Sequence, residues 1–209
     1  MLRCDDPLPT RPRILVAGAS GCGETTFAAR VGLPVLQCRD LVLEPLRIEH
    51  AEEMAPLLDD VALHTHIGGE PATLHQLRQV YALQAIGRSP DGSELWSTWI
   101  LRRLDTRAAA GYVQATLTKE HAGTVAEVAW VVARPHQGRG FARQAATALV
   151  GWLWVAGAGR IVAHIHPGHV ASNAVAAAVG LHPTSTLVDG DVEWTAAPTT
   201  PARGGTVQA

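Results

Sequence analysis

Near residue 137 the sequence changes period. TVAEVAWVVA, Thr124 to Ala133, reads as a strand, and GRGFARQAATALVGWLWVAG, Gly138 to Gly157, has the length of a helix with a glycine stop. At the junction stands Gln137-Gly138-Arg139-Gly140-Phe141-Ala142. Glycines there let the backbone pass close to a ligand, and the unpaired N–H groups of the first helical turn all point one way, towards any anion. Taken alone, the stretch is either a loop built to hold a pyrophosphate or an ordinary glycine-rich turn.

The segments on both sides set the fold class. Downstream, RIVAHIHP is a strand closed by Pro167, HVASNAVAAAVG is an alanine-rich helix ended by Gly180, and TSTLVDGDVEWTAA carries the Asp-Gly of a tight hairpin. Upstream, ELWSTWILRR, AAAGYVQATLTK and TVAEVAWVVA are successive strands joined by LDTR and EHAG, spacing that suits antiparallel hairpins. Before them, LQCRDLVLEPLR reads as a strand ending at Pro45, with EHAEEMAPLLDD and ATLHQLRQVYALQAIG as two helices. The order predicts a mixed α/β domain with a mostly antiparallel sheet. At 209 residues the chain has room for one such domain with an extension.

AEVAWVVARPHQGRGFARQAATALVGWLW resembles the coenzyme-A-binding segment of the GNAT family of N-acetyltransferases, a strand, then Q/R-x-x-G-x-G/A, then a helix. The pattern is met by Gln137, Gly140 and Ala142. HIHPGHVASNAVAAAVGLHPT is similar to the family's next strand and helix, and LQCRDLVLEPLRIEHAEEMAPLL to its opening strand and helix. The likeness covers residues 36–197, with residues 1–35 as an N-terminal extension and residues 198–209 as a frayed tail. It implies the acyl-CoA N-acyltransferase fold, a central, mostly antiparallel sheet splayed at its middle and flanked by helices. It also implies acetyl-CoA as cosubstrate, no metal, and direct attack by a primary amine on the thioester. The branch it looks most like acetylates ribosomal-protein N-termini and small amines, so the acceptor is expected to be a small-molecule amine or a peptide N-terminus.

The resemblance assigns roles residue by residue. Glu127 stands where the family often places a glutamate base, on the strand face shared with Ala129 and Val131. Val131 and Val132 fall where main-chain groups meet the pantetheine and acetyl carbonyl. Gln137, Gly138, Arg139, Gly140, Phe141 and Ala142 supply pyrophosphate amides, with Arg139 and Arg143 available to the coenzyme phosphates. Ser172 aligns with a serine near the coenzyme sulfur. His169 occupies a position where many relatives carry a coenzyme-contacting asparagine, and the tyrosine acid of other branches is missing from Val175 to Leu181. Each has a plainer reading: a solvent-facing strand glutamate, arginines on a solvated helix face, a serine bonded to its own helix.

Other features point away from other functions. Net charge is -2, so no global electrostatic argument favours nucleic acid or an anionic membrane. The longest apolar run, Ala145 to Gly159, is shorter than a spanning helix and interrupted by glycines. Cys4, Cys22 and Cys38 lack zinc or redox spacing and suit a reducing compartment, so a cytoplasmic home is expected. A homodimer is compatible with all of this. His164, His166 and His169 lie close together without an accompanying carboxylate or cysteine in sequence, which favours strand-end histidines, or an auxiliary base at the cleft, over a metal site. Gly18 and Gly23, followed by Glu24 and Thr25, match the P-loop pattern except that a carboxylate replaces its lysine. The segment reads as a degenerate, truncated P-loop unit. The rival readings are therefore a non-catalytic acyl-CoA-binding module of the same fold and a P-loop nucleotide-binding protein.

Overall fold

The computed structural model describes residues 32–67 and 69–198. The P-loop-like stretch from Gly18 to Thr25 lies outside the described residues, as does the tail from Thr199 onward. The described residues begin with β1 (Leu36–Gln37) and β2 (Leu41–Pro45), then α1 (Ala51–Leu58), α2 (Val61–Ile67) and α3 (Leu74–Ala85). Three long strands follow, β3 (Glu94–Arg103), β4 (Ala109–Glu120) and β5 (Gly123–Val132). The remaining elements are α4 (Phe141–Val155), β6 (Arg160–Ile165), α5 (Val170–Ala178), β7 (His182–Val188) and β8 (Asp191–Ala196).

The strands form one 8-stranded mixed sheet in the order β1-β2-β3-β4-β5-β6-β8-β7. Every neighbouring pair is antiparallel except β5 and β6, which α4 connects as a crossover helix. That parallel ladder is short: Val125, Ala126 and Glu127 meet Arg160, Ile161 and Val162, and pairing stops there. β5 runs on to Val132 and β6 to Ile165, so the two strands part beyond Glu127.

Alternation along the strands sends side chains to two cores. Leu41, Leu43, Trp99, Leu101, Val113 and Val128 meet α4 through Phe141, Leu149 and Leu153. Ile100, one residue out of phase, joins Leu46, Met54, Leu77 and Tyr81 under α1 and α3. α3 begins with a reciprocal cap, since the Gln76 amide N–H donates to Thr73 Oγ1 at 3.3 Å and the Thr73 N–H donates to Gln76 Oε1 at 2.9 Å. The Asp189-Gly190 hairpin forms as expected, with φ of 54° and 92° at the two corner residues.

Two local expectations need correction. Leu36 to Arg47 is not one strand: the chain turns back at Cys38–Asp40, where Gln144 of α4 both accepts from the Asp40 N–H at 3.0 Å and donates to its carboxylate at 2.8 Å. A third helix, α2, follows α1, started by Asp60, whose Oδ1 accepts from the Ala62 N–H at 2.9 Å.

Candidate active site

The site begins with the loop at residue 137. Gly138 and Gly140 hold φ of 74° and 75°, the left-handed region in which side chains are strained, and a Cβ at either would meet nothing within 4 Å. Bare backbone therefore faces open space. Gly140 is the N-cap of α4 and gives no side-chain cap, so the first-turn amides of Phe141, Ala142 and Arg143 have no capping oxygen. The side chain of Gln137 points back instead, its Nε2 donating to the Val132 carbonyl at 2.9 Å, which ties the loop to the end of β5.

These groups open onto a cleft of about 530 Å³ bordered by the end of β5, α2, α4 and α5. Val131, Val132, Gln137, Gly138, Gly140 and Phe141 line it, and so do Ala142 and Arg143. Across from them stand His169 and Ser172 at the start of α5. Arg139 is not among the lining residues, and neither is Glu127. The cleft also takes in Ala62 and Leu63 of α2, Trp130, Arg134 and His136. The α2 pair had no signal in the sequence because the helix itself was not expected. His136, one residue before the glycine loop, had no role assigned from the sequence; burial, then the nearby Arg103 and Arg139, hold its pKa below the ordinary value.

Glu127 belongs to a second cluster, on the sheet face away from α4. Its Oε1 lies 2.9 Å from His164 Nδ1, across the point where the β5–β6 ladder ends. His164 pairs with Glu193 of β8 in the strand register, and its Nε2 is 3.9 Å from Glu193 Oε2. The hydrogen bond to Glu127 raises the imidazole pKa; burial opposes this, while the charges of Glu127, Glu193 and Asp191 reinforce it. Gln114 and Thr116 of β4 are buried and, by register, share this face beside Ala129 and Glu127. The Gln114 Oε1 atom is sealed from solvent with no hydrogen-bond partner.

The other polar candidates resolve separately. Among the described residues no group of three or more His, Cys, Asp or Glu is arranged to hold a metal ion. His166 lies beyond β6 and accepts from the Gly168 N–H at 3.0 Å through Nδ1. Of the six tryptophans, Trp99 is fully buried, with its ring edge-on to Trp152 at 5.0 Å between centroids.

Comparison with known proteins places this architecture. A family model described as an acetyltransferase (GNAT) domain matches residues 40–182. A search of curated protein sequences returns no match. Among solved structures, a microcin C7 self-immunity acetyltransferase in complex with acetyl-CoA and AMP is 16% identical, with a TM-score of 0.64, over 77% of this chain and 93% of that one. An acetyltransferase of Salmonella typhimurium that modifies the N-terminal serine of ribosomal protein L7/L12 is 16% identical, with a TM-score of 0.61, over 77% of this chain and 96% of that one. An aminoglycoside acetyltransferase in complex with coenzyme A is 15% identical, with a TM-score of 0.61, over 74% of this chain and 93% of that one. At these identities the likeness is one of fold.

Proposed function

The chain belongs to the GNAT acetyltransferase family, and on that footing we propose that it moves an acetyl group from acetyl-CoA to a primary amine by direct attack. The observation that carries the reading is the uncapped N-terminus of α4, whose first-turn amides and glycine backbone open onto the cleft. A diphosphate fits there because it needs several N–H donors on one side and no side chain in the way. Arg143 and Arg134, both at the cleft, add positive charge for phosphate groups.

The remaining residues suit acyl transfer. Bound acetyl-CoA supplies the activated acetyl carbon and a thiol leaving group. Val131 and Val132, at the free end of β5, present main-chain groups to the acyl arm. Ser172, in the first turn of α5, is the candidate donor of a proton to the departing sulfur, and His169 stands at the N-cap position of that helix beside it. Deprotonation of the amine falls to Glu127 with the imidazole bonded to it. The acceptor class follows the fold neighbours, one of which modifies an N-terminal serine and another aminoglycosides, so a peptide N-terminus and a small-molecule amine are the two to try.

Calorimetry with acetyl-CoA and with free coenzyme A tests the reading directly. Both are expected to bind, and Gly140→Asp, which puts a strained side chain and a negative charge at the helix mouth, is expected to weaken binding by at least about tenfold. No binding to well-folded wild-type protein would end the assignment. Thiol release in the presence of an N-terminal seryl peptide, an aminoglycoside or a linear polyamine then separates a transferase from a non-catalytic coenzyme-binding module.

A further inference from the structure

Resting on the transferase reading, we propose that His164 Nε2 is the atom that takes the proton from the acceptor amine, with Glu127 as the positioning residue that orients the ring and Glu193 as the carboxylate that steadies the resulting cation. Three observations carry this. First, the two ring nitrogens of His164 are unequal: Nδ1 is hydrogen-bonded to Glu127 at 2.9 Å, whereas Nε2 lies 3.9 Å from Glu193, beyond hydrogen-bond reach. A neutral imidazole beside an ionised carboxylate keeps its hydrogen on the bonded nitrogen, so Nδ1–H donates to Glu127 and the lone pair rests on Nε2. Second, the ring sits where the β5–β6 ladder ends, and β5 continues from Glu127 to Trp130, Val131 and Val132, which line the cleft. Third, the surroundings favour a cation: Glu127 faces the ring from β5, and Glu193 and Asp191 act from β8.

Chemistry gives the arrangement its purpose. An isolated carboxylate is a weak base for an alkylammonium ion, whereas an imidazole whose proton affinity is raised by two carboxylates lies closer to working pH. The step balances as follows. The ammonium loses one proton to His164 Nε2, and the freed nitrogen lone pair forms the N–C bond to the acetyl carbon. The C–S bond breaks with its electron pair on sulfur, the second nitrogen proton passes to the thiolate, and His164 returns its proton to water. Amide, thiol and one released proton account for every atom.

The pH dependence has a definite sign. Below the His164 pKa the ring already carries the proton and cannot accept another, so turnover rises with pH through a midpoint above the ordinary histidine value. Among nearby charges, Arg160 draws on Glu193 at 3.7 Å and Glu120 at 3.6 Å, which leaves Glu127 as the stronger influence on the ring.

The test combines two readouts. In NMR titration of the wild-type protein the His164 ring is expected to titrate above the ordinary histidine value, and Glu127→Gln to lower that midpoint. The acid limb of kcat, measured on whichever of the three panel amines is turned over, is expected to share the midpoint and to move down in Glu127→Gln. His164→Ala is expected to lose about 10²- to 10⁴-fold in kcat with acetyl-CoA affinity within about twofold of wild type, and to regain activity with added imidazole. An acid limb unmoved by Glu127→Gln, a His164 ring that titrates below the ordinary value, or a His164→Ala variant with full kcat overturns the role of His164. Absence of acetyl-CoA binding to the wild type overturns the transferase reading instead, and the affinity measurement tells the two failures apart.

Discussion

Gly111 is the residue whose identity the fold enforces most directly. Its φ of 153° is one that side chains rarely adopt, and an added Cβ would lie 2.0 Å from the Val131 carbonyl oxygen. β4 and β5 are packed that closely where β5 borders the cleft. Gly111→Ala is therefore expected to cost about 1–3 kcal/mol or more, from strain together with displacement of Val131, and to weaken acetyl-CoA binding in parallel. Denaturant unfolding and calorimetry on the same variant check both. At this scale the sequence was only half legible. Glu127 could be placed on a strand face by counting in twos, yet its partner His164 comes from β6, and the second carboxylate near that ring from the far side of the terminal hairpin. No local pattern says that β8, rather than β7, lies beside β6. Gln137 shows the same limit, because the motif named the residue but not that its side chain turns back to Val132.

At the scale of elements, α4 couples stability to ligand binding. Its inner face, Ala145, Leu149 and Leu153, is fully buried against the sheet, while its N-terminus is left without a side-chain cap. Amides that lack intrahelical acceptors exchange readily unless a ligand takes their hydrogen bonds. Saturating acetyl-CoA is thus expected to slow hydrogen exchange at Phe141, Ala142 and Arg143, with little change in the last turn of α4; equal protection along the helix would count against phosphate contact at its mouth. The run from β5 through the glycine loop into α4 was readable because the period changes sharply there, and the helix stops at Gly157, whose φ is 92°. The start of the domain was not. A single strand and two separate strands share the pattern from Leu36 to Pro45, and the turn that divides them depends on Gln144, more than a hundred residues away. α2 escaped for a related reason, being short and started by one aspartate side chain.

For the molecule as a whole, the opening strands and helices are tied by a charged node. Arg102 of β3 donates to Glu44 of β2 at 2.8 Å and to Glu53 of α1 at 2.9 Å, and reaches the Arg107 carbonyl at 2.8 Å. The Arg102 hydrogen bond holds the Glu53 carboxyl below its ordinary value, against the opposing effect of burial. A carboxylate whose pKa is lowered by folding contributes stability that is present above its unfolded value and lost as pH falls through the folded one. Denaturant midpoints are expected to drop as pH falls through and below the ordinary carboxylate range, and Glu53→Gln to flatten that slope. The overall architecture was legible because each segment's period agreed with the order of elements; the cleft's shape was not, since it depends on how far two strands stay together.

The join between β5 and β6 spans three residue pairs, whereas the ladders on either side are longer. The sheet is in effect two stiff panels meeting along a narrow seam. A small swing of the β6–β8–β7 panel about that seam would widen the mouth between the panels while leaving every rung within each panel intact.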